Sequence, residues 1–466
     1  MKSTLVFDYF DIINLWRNIL NIYDFSNEKD NEKRYNYKIL VYPNITYMRD
    51  LEKDSYVVVL RNVIKELNKV RDDVHWTIMS PGDIKSLTFE NTTQIPINLP
   101  SYPNAMRCHF NYNEIKSNLR WKHTDYDVVY SHLPEHTLQL KNLLVNDTNI
   151  DPKVVGYCHW YEVDENTNYS ERMLLHNYNG MLRMEECGVN SIWLKELVLE
   201  KARDIFSKQI ISKLDKIIQP HYLGIDKINN MEVQTKKKTI IFNHRDNYYT
   251  GWTWFIDSMD ELYKQRQDFT VYTTLADLDR PYAKRVRISD RDEYLDFIRS
   301  MHVGVGTFQK YSAWSISTTD SLSMGVPYIL PNKLCYPEMV GKDYPLLYEG
   351  RDGFLQKLNG ALDDDGSVDK AKTYLKTKIQ EFPWANRVPQ WFGGWNFLTP
   401  NSFDMIGEKS ESYPKIVDFI HKKKSVTKKE ILDYLGWGVR ISFSPYRNRL
   451  RTEPTIKFTK NRYEVR

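Results

Sequence analysis

From residue 37 onward, short apolar runs alternate with stretches of helical periodicity, and the series runs twice. In the first series Tyr37-Lys-Ile-Leu-Val-Tyr42, His75-Trp-Thr-Ile-Met79, Asp127-Val-Val-Tyr130 and Lys153-Val-Val-Gly-Tyr157 read as buried strands, with an amphipathic helix from Asp54 to Leu67. A Lys-rich stretch, Gln234 to Lys238, precedes the second series: Thr239-Ile-Ile-Phe242, Phe269-Thr-Val-Tyr272, His302-Val-Gly-Val305 and Pro327-Tyr-Ile-Leu330. Runs this apolar need cover on both faces, which helices flanking a parallel sheet supply. The alternation predicts an α/β chain with doubly wound sheets, and the restart after the lysines predicts two Rossmann-like units facing a cleft. Ligands of such sheets sit outside the carboxyl ends of the strands. The expected layout is an N-terminal extension (1–36), an acceptor unit (37–226), a donor unit (237–385), a segment crossing back to the first unit (386–420) and a small terminal module (424–466). Trp384, Trp391 and Trp395 are expected to belong to that return crossing as core residues.

The terminal module is set apart by charge. Residues 421–466 carry thirteen Lys and Arg against four Asp and Glu, in a chain whose net charge is only +4. A tail this basic on an acidic body is expected to meet a polyanion. Its pattern is ordered: Thr427 with Glu430 three residues on forms a capping-box signature ahead of Ile431, Leu432 and Leu435. Gly436-Trp-Gly438 ends that helix, and Ser444-Pro445 opens another in which Arg447, Asn448 and Arg451 share a face. Pro454 stops it, and Thr455 to Val465 alternates as a hairpin around Lys460-Asn461. This succession resembles a winged helix-turn-helix, in which the second helix enters a DNA groove and the wing touches phosphate. The resemblance implies double-stranded DNA as partner and Arg440, Arg447, Asn448, Arg449, Arg451, Lys457, Lys460 and Arg462 as its contacts.

Other classes are argued against. No window of about 18 apolar residues offers a membrane span, and the start, Met1-Lys-Ser-Thr-Leu5, lacks the pattern of a secretory signal. Cys108, Cys158, Cys187 and Cys335 lie far apart without metal-ligand spacing, which fits free thiols in a reducing cytoplasm. Cys158 is expected in the core, and Asp363-Asp-Asp365 as a solvated acidic turn and not a metal site. No obligatory protein partner is evident.

Four segments carry a second resemblance. Lys216-Ile-Ile-Gln-Pro-His-Tyr-Leu-Gly-Ile-Asp226 resembles the "(P)xGID" strand end that closes the first half of GT-B glycosyltransferases. Phe242-Asn-His-Arg245 with Thr250-Gly251 resembles their "GR…KG" segment, Asp320-Ser-Leu-Ser-Met-Gly-Val-Pro327 their "EAMACGxP" helix, and Ala313-Trp-Ser-Ile-Ser317 fills the loop before it. The resemblance is to the retaining, paired-glutamate group. It implies a nucleotide-sugar co-substrate, most simply UDP-glucose or another UDP-sugar, with no other cofactor and no metal. A donor diphosphate needs its charge neutralised as it leaves. Arg245 after a strand end and the helix N-terminus fed by Ser315, Ile316 and Ser317 are suited to that task, while Asp320 would accept from the ribose hydroxyls. Thr250 stands where the family has a phosphate-binding Lys, beside Gly251, and Ser312 where it has the first Glu; Lys310, or His244 beside Arg245, is then the candidate replacement cation. In the first half Gly156-Tyr-Cys-His159-Trp-Tyr-Glu162 resembles the family's His motif, so His159, Glu162 and Asp164 are the expected catalytic residues, with His132 lining the same cleft.

A sugar transferase joined to a DNA-binding module implies that the acceptor is DNA. Phages of the T-even type, which glycosylate hydroxymethylated pyrimidines, resemble this case, and the enzyme would then work in the host cytoplasm. Two alternatives stay open: a GT-B enzyme acting on a cell-envelope glycan or a protein, and a non-catalytic DNA-binding sensor of nucleotide sugars.

Overall fold

The computed structural model describes residues 37–43, 52, 55–69, 71–97, 110–122, 126–148, 152–159, 161, 170–226, 228, 236–394, 412–435, 450, 453, 455–459 and 462–466. The expected extension 1–36, the catalytic candidates Glu162 and Asp164, the DNA-contact candidates Arg440, Arg447, Asn448, Arg449, Arg451 and Lys460, and Cys108 and Trp395 lie outside the described residues.

The first half runs β1 (Tyr37–Tyr42), α1 (Ser55–Asn68), β2 (Val74–Ser80), β3 (Thr92–Pro96), α2 (Tyr112–Lys122), β4 (Val128–His132), α3 (Thr137–Thr148), β5 (Lys153–Cys158), α4 (Ser170–Met181), β6 (Glu186–Val189), α5 (Ile192–Arg203), α6 (Lys208–Ile217) and β7 (Ile218–Pro220). All seven strands are parallel, in the order β3-β2-β1-β4-β5-β6-β7. Each strand feeds two cores, because successive side chains point to opposite faces. In β1, Ile39 and Val41 pack with Val57, Leu60 and Val63 of α1, whereas Leu40 and Tyr42 join Leu140, Leu143 and Leu144 of α3. That two-sided burial is why these strands read as unbroken apolar runs. Cys158 closes β5 fully buried, as expected of a core thiol.

The second half repeats the plan: β8 (Lys236–Phe242), α7 (Trp252–Gln265), β9 (Thr270–Thr273), β10 (Ala283–Arg285), α8 (Arg291–Arg299), β11 (Met301–Val305), α9 (Ile316–Ser323), β12 (Tyr328–Pro331), α10 (Tyr336–Val340), β13 (Leu347–Tyr348), α11 (Gly350–Leu362) and α12 (Ser367–Lys378). Its parallel sheet has the order β10-β9-β8-β11-β12-β13, the same winding as the first six strands. One expectation is corrected here. The lysines taken as the break between halves are the start of β8, where Lys237 pairs with Asp364 and Lys238 with Asp268 at the exposed amino end of the strand. Asp363 to Asp365 form the exposed acidic turn the sequence suggests, and Asp363 also accepts from Arg266 at 2.7 Å, so the turn ties to the sheet's amino edge.

The two halves are tied where the chain leaves the first sheet and where it returns. Ile225 forms a parallel bridge with Pro383, and its amide donates to the Phe382 carbonyl at 3.0 Å. The returning helix α13 (Trp384–Gly394) puts Trp384 and Trp391 into the core of the first sheet. Trp391 stacks on Tyr157 (4.9 Å, 11°) and on His221 (5.2 Å, 19°), and its Nε1 donates to the Tyr222 carbonyl.

A separate core lies in the terminal module, made of α14 (Ser412–Lys423), β14 (Ser425–Thr427), α15 (Lys428–Tyr434), β15 (Ile456–Thr459) and β16 (Arg462–Val465). The three strands are antiparallel in the order β14-β16-β15, over a core of Ile416, Ile420, Val426, Ile431, Leu432, Leu450, Ile456 and Tyr463. The Thr427–Glu430 capping box and the 455–465 hairpin form as the sequence suggests; α14 and β14 were not anticipated. Two of the expected DNA contacts are engaged inside the module. Lys457 lies 3.7 Å from Glu464, and Arg462 donates to the hydroxyl and carbonyl of Ser425 at 2.8 and 3.0 Å. Among the described residues of the module, the exposed cations are Lys415, Lys422 and Lys423 in α14, Lys424 just past it, Lys429 in α15, Lys457 in β15 and Arg466. No helix among the described residues is long and apolar enough to cross a membrane.

Trp391 is a direct test of the return crossing. Trp391→Ala should destabilise the chain by about 3–5 kcal/mol, as large aromatic-to-alanine changes in packed cores do. Urea denaturation of the full chain measures it, and a loss below about 1 kcal/mol would show that α13 does not anchor on the first sheet.

Candidate active site between the two sheets

At the carboxyl end of β8 the chain turns inward before it turns out. Asn243 is buried and donates to the Tyr294 hydroxyl (2.9 Å) and the Ser317 carbonyl (3.0 Å), while Tyr328 donates to its Oδ1. His244 is also buried, its ring edge-on to Phe308 and 3.3 Å from the Tyr328 hydroxyl, and burial pulls its imidazole down to about 3. A neutral, inward ring does not supply the missing phosphate-binding cation. Arg245, the next residue, is exposed.

The loop that follows is set by one glycine. Gly251 has φ +72°, and a Cβ there would lie 1.8 Å from the Thr307 carbonyl oxygen, so no other residue fits. The close approach presses the 245–251 loop onto the segment after β11. The Thr250 hydroxyl donates to the carbonyls of Arg245 (2.8 Å) and Asn247 (2.6 Å), so it holds the loop's shape. Lys310 is exposed on the neighbouring loop, and Ser312 is buried against Cys335 and the Tyr336 hydroxyl. Ser315 caps α9 by accepting from the Thr318 amide at 3.2 Å. This aims the amino end of α9, at Ile316 and Ser317, outward beside Lys310, a geometry that favours an anion. Asp320, one turn further in, is 4% exposed and bonded through both oxygens to Arg291, at 2.6 and 2.7 Å.

On the opposite wall, His132 ends β4 and His159 follows β5, with ring centroids 6.2 Å apart. Tyr56 of α1 lies against both, at 4.4 and 5.4 Å. His132 is buried with Nε2 unpaired, and burial holds it well below the ordinary histidine value. His159 is half-buried with Nδ1 sealed and unpaired, and burial lowers it to about 4. Its carbonyl accepts from Asn190 at the end of β6. His136 is turned away from this pair, with Nδ1 on the Tyr42 hydroxyl at 2.9 Å.

The walls meet directly. Glu338, at the start of α10, accepts from the amides of Ile192 (2.7 Å) and Trp193 (3.2 Å) at the amino end of α5, and from the Tyr222 hydroxyl (2.6 Å). Beside it, Tyr311 packs edge-on against Trp193, and Trp314 lies 5.5 Å from Tyr222. The carboxyl ends of both sheets therefore border one cleft, with exposed cations on the second-sheet side and neutral imidazoles on the first. Sequence reasoning did not find Arg291, Glu338, Asn243 or Tyr56. Pro337-Glu338 signals a helix start and nothing more, Asn243 lies inside the Phe242–Arg245 segment without having been given a role, and Arg291 and Tyr56 stand in no recognisable pattern.

No protein-family model matches the chain, and no curated protein is recognisably similar in sequence. Solved structures are similar in fold. Sucrose-phosphate synthase from Thermosynechococcus elongatus matches 78% of this chain and 99% of its own at 13% identity, with a TM-score of 0.60. Anabaena Alr3699/HepE in complex with UDP and glucose matches 78% and 100% at 12% identity, TM-score 0.55. The lipopolysaccharide outer core galactosyltransferase WaaB matches 78% and 100% at 12% identity, TM-score 0.53. The chain thus has the GT-B architecture, two Rossmann-like halves flanking a cleft. Likeness at this identity establishes the fold alone.

Two buried imidazoles held neutral make stability depend on pH. His132 and His244 titrate below the ordinary value of about 6.5, so the unfolded chain binds more protons than the fold as pH drops beneath it. Stability is then fully present above about pH 6.5 and is lost toward the folded values, by about 2 kcal/mol per histidine between pH 7 and pH 5. His132→Gln should narrow the difference in urea-unfolding free energy between those two pH values by about 2 kcal/mol. An unchanged difference would mean that His132 protonates in the folded protein.

Proposed function

We propose that the chain is a glycosyltransferase that moves a sugar from a nucleoside diphosphate donor, a UDP-sugar such as UDP-glucose, to a hydroxyl of a glycan acceptor. The observation that carries this is the asymmetry of the cleft. Exposed Arg245 and Lys310 and the amino end of α9 crowd the carboxyl ends of the second sheet, opposite neutral His159 and His132 on the first. The acceptor hydroxyl attacks the anomeric carbon, the bond to the diphosphate breaks, and the hydroxyl proton passes to a base or to the departing phosphate. Arg245, Lys310 and the α9 amides neutralise the charge that builds on the diphosphate. His159 hydrogen-bonds the transferred sugar, with Glu162 and Asp164 as candidate bases. Thr250 and Gly251 shape the loop that presents Arg245, and Ser315, Ile316 and Ser317 present the helix end. A glycan acceptor is supported by WaaB, which acts on lipopolysaccharide outer core, and a UDP donor by HepE, solved with UDP and glucose.

One observation favours a second reading, in which the acceptor is a hydroxymethylated pyrimidine of phage DNA. The terminal module has its own core, the helix–strand–helix and hairpin order of a winged helix, and exposed lysines at 422–424, ending and following the first of these helices, and at 429 in the second.

Arg245→Ala should weaken UDP binding by about 1.5–3 kcal/mol, the value of a charged hydrogen bond. Because Arg245 is exposed, the thermal midpoint should not move. Unchanged affinity in calorimetry would remove Arg245 from the donor site.

The acceptor is decided by salt. If the module binds duplex DNA, replacing Lys422, Lys423, Lys424 and Lys429 with Ala should flatten the plot of log affinity against log salt by about 3 to 4 units, at roughly 0.9 per phosphate contact. A full-length protein without measurable duplex affinity at low salt would rule out the DNA reading and leave the glycan.

A further inference from the structure

We propose that Arg291, and not the carboxylate of Asp320, is the group that reads the nucleoside end of the donor; the inference rests on the donor reading above. By resemblance the acid at position 320 should accept from ribose hydroxyls. In this chain that acid is closed off. Asp320 is 4% exposed, and both its oxygens are taken by the Nη1 and Nη2 groups of Arg291. The arginine is the exposed member of the pair, with 53% of its side chain accessible against 6% for the aspartate.

Its position suits the role. Arg291 opens α8, just past the carboxyl end of β10, on the ligand face of the second sheet. Asp320 lies four residues beyond the amino end of α9, so the pair sits about 6 Å, one turn, from the amides placed at the diphosphate. That is the spacing from a diphosphate to its nucleoside. The guanidinium is braced from below by the Tyr294 ring at 5.5 Å, and the Tyr294 hydroxyl is fixed to Asn243 at 2.9 Å. Asp226, which pairs with Arg61 of α1 at 3.7 Å, adds its field to both Arg291 and Asp320 at the edge where the halves meet.

The chemistry follows from donor count. A guanidinium carries five N–H groups, and a two-point carboxylate contact uses two of them. Three remain, on a group whose charge Asp320 already balances. Such a group recognises neutral acceptor oxygens: the pyrimidine carbonyls of uracil and the ribose oxygens. Adenine offers no carbonyl, so the pair should favour UDP over ADP.

Calorimetry on the full chain with UDP, ADP and inorganic pyrophosphate tests this. Arg291→Met should lower UDP affinity at least tenfold while changing pyrophosphate affinity less than twofold, and should abolish the preference for UDP over ADP. Because that variant strands a buried carboxylate, the neutral pair Arg291→Met/Asp320→Asn is measured beside it, and the same loss is expected. If Asp320 were the reader, freeing it in Arg291→Met would leave UDP affinity unchanged or raise it; that result overturns the proposal. Equal losses for UDP and pyrophosphate overturn it too, since Arg291 would then be a phosphate ligand. Wild-type protein that binds neither UDP nor ADP would instead sink the donor reading on which the proposal stands.

Discussion

The structure depends on the chain crossing between its two sheets at one place, twice. Leaving the first sheet, Ile225 pairs with Pro383 of the returning strand, and within nine residues Trp384 and Trp391 are buried back in the first core. A single linker would leave two parallel sheets free to slide. Two crossings fused by backbone hydrogen bonds and anchored by stacked indole set where the carboxyl ends face each other. The stack on Tyr157 and His221 links that anchor to the site, because Tyr157 is two residues from His159 and its ring lies 5.4 Å from His132. Burial also governs the electrostatics of the first wall: enclosure among Tyr56, Tyr130 and Tyr157 disfavours the charged form of His132 and lowers it well below the ordinary value.

The second wall solves the opposite problem. It presents positive charge to solvent over an interior in which the buried acid is neutralised. Arg245 and Lys310 stay exposed, while three buried polar groups near them are paired within the fold: Asn243 to Tyr294 and Ser317, Ser312 to Tyr336, Asp320 to Arg291. Glu338 links this wall to the other. Its carboxylate meets two free amides and the dipole at the amino end of α5, where a negative charge is stabilised by about 0.3–1 kcal/mol beyond its hydrogen bonds. Such a contact holds the walls together without sealing them, since all of its partners can return to water.

How much of this was legible depended on whether a signal was local. β1 begins and ends at Tyr37 and Tyr42, the bounds of the apolar run, and the Thr427–Glu430 box and the 455–465 hairpin formed where short-range chemistry demanded. β3, Thr-Thr-Gln-Ile-Pro, escaped because an edge strand buries only part of its length, and β6 because it opens with an acid, Glu186, which lies 2.9 Å from His221. In the site, the helix start at Ser315 to Ser317 was readable, since it is set by neighbours in sequence, whereas the demand on Gly251 comes from the distant Thr307 carbonyl. Arg291 and Glu338 were not: their partners stand 29 and 146 positions away, and no spacing rule connects them. The lysines at 236–238 misled for the same reason, because the acids that hold them come from other elements.

The terminal module shows why charge counts and charge placement answer different questions. Its excess of cations argues for an anionic partner, but Lys457 and Arg462 are engaged by Glu464, Ser425 and Glu430 within the fold. A guanidinium held by a backbone carbonyl and a hydroxyl stabilises the sheet and offers less to a phosphate. Exposed among the described residues are Lys415, Lys457 and Arg466 as well as the run Lys422–Lys424 with Lys429, on either side of β14. Four like charges on so short a span repel one another, and nothing in the core of Ile416, Ile420 and Ile431 requires them. The crowding of Lys422–Lys424 and Lys429 beside β14 is a property of the module's surface, independent of its core packing.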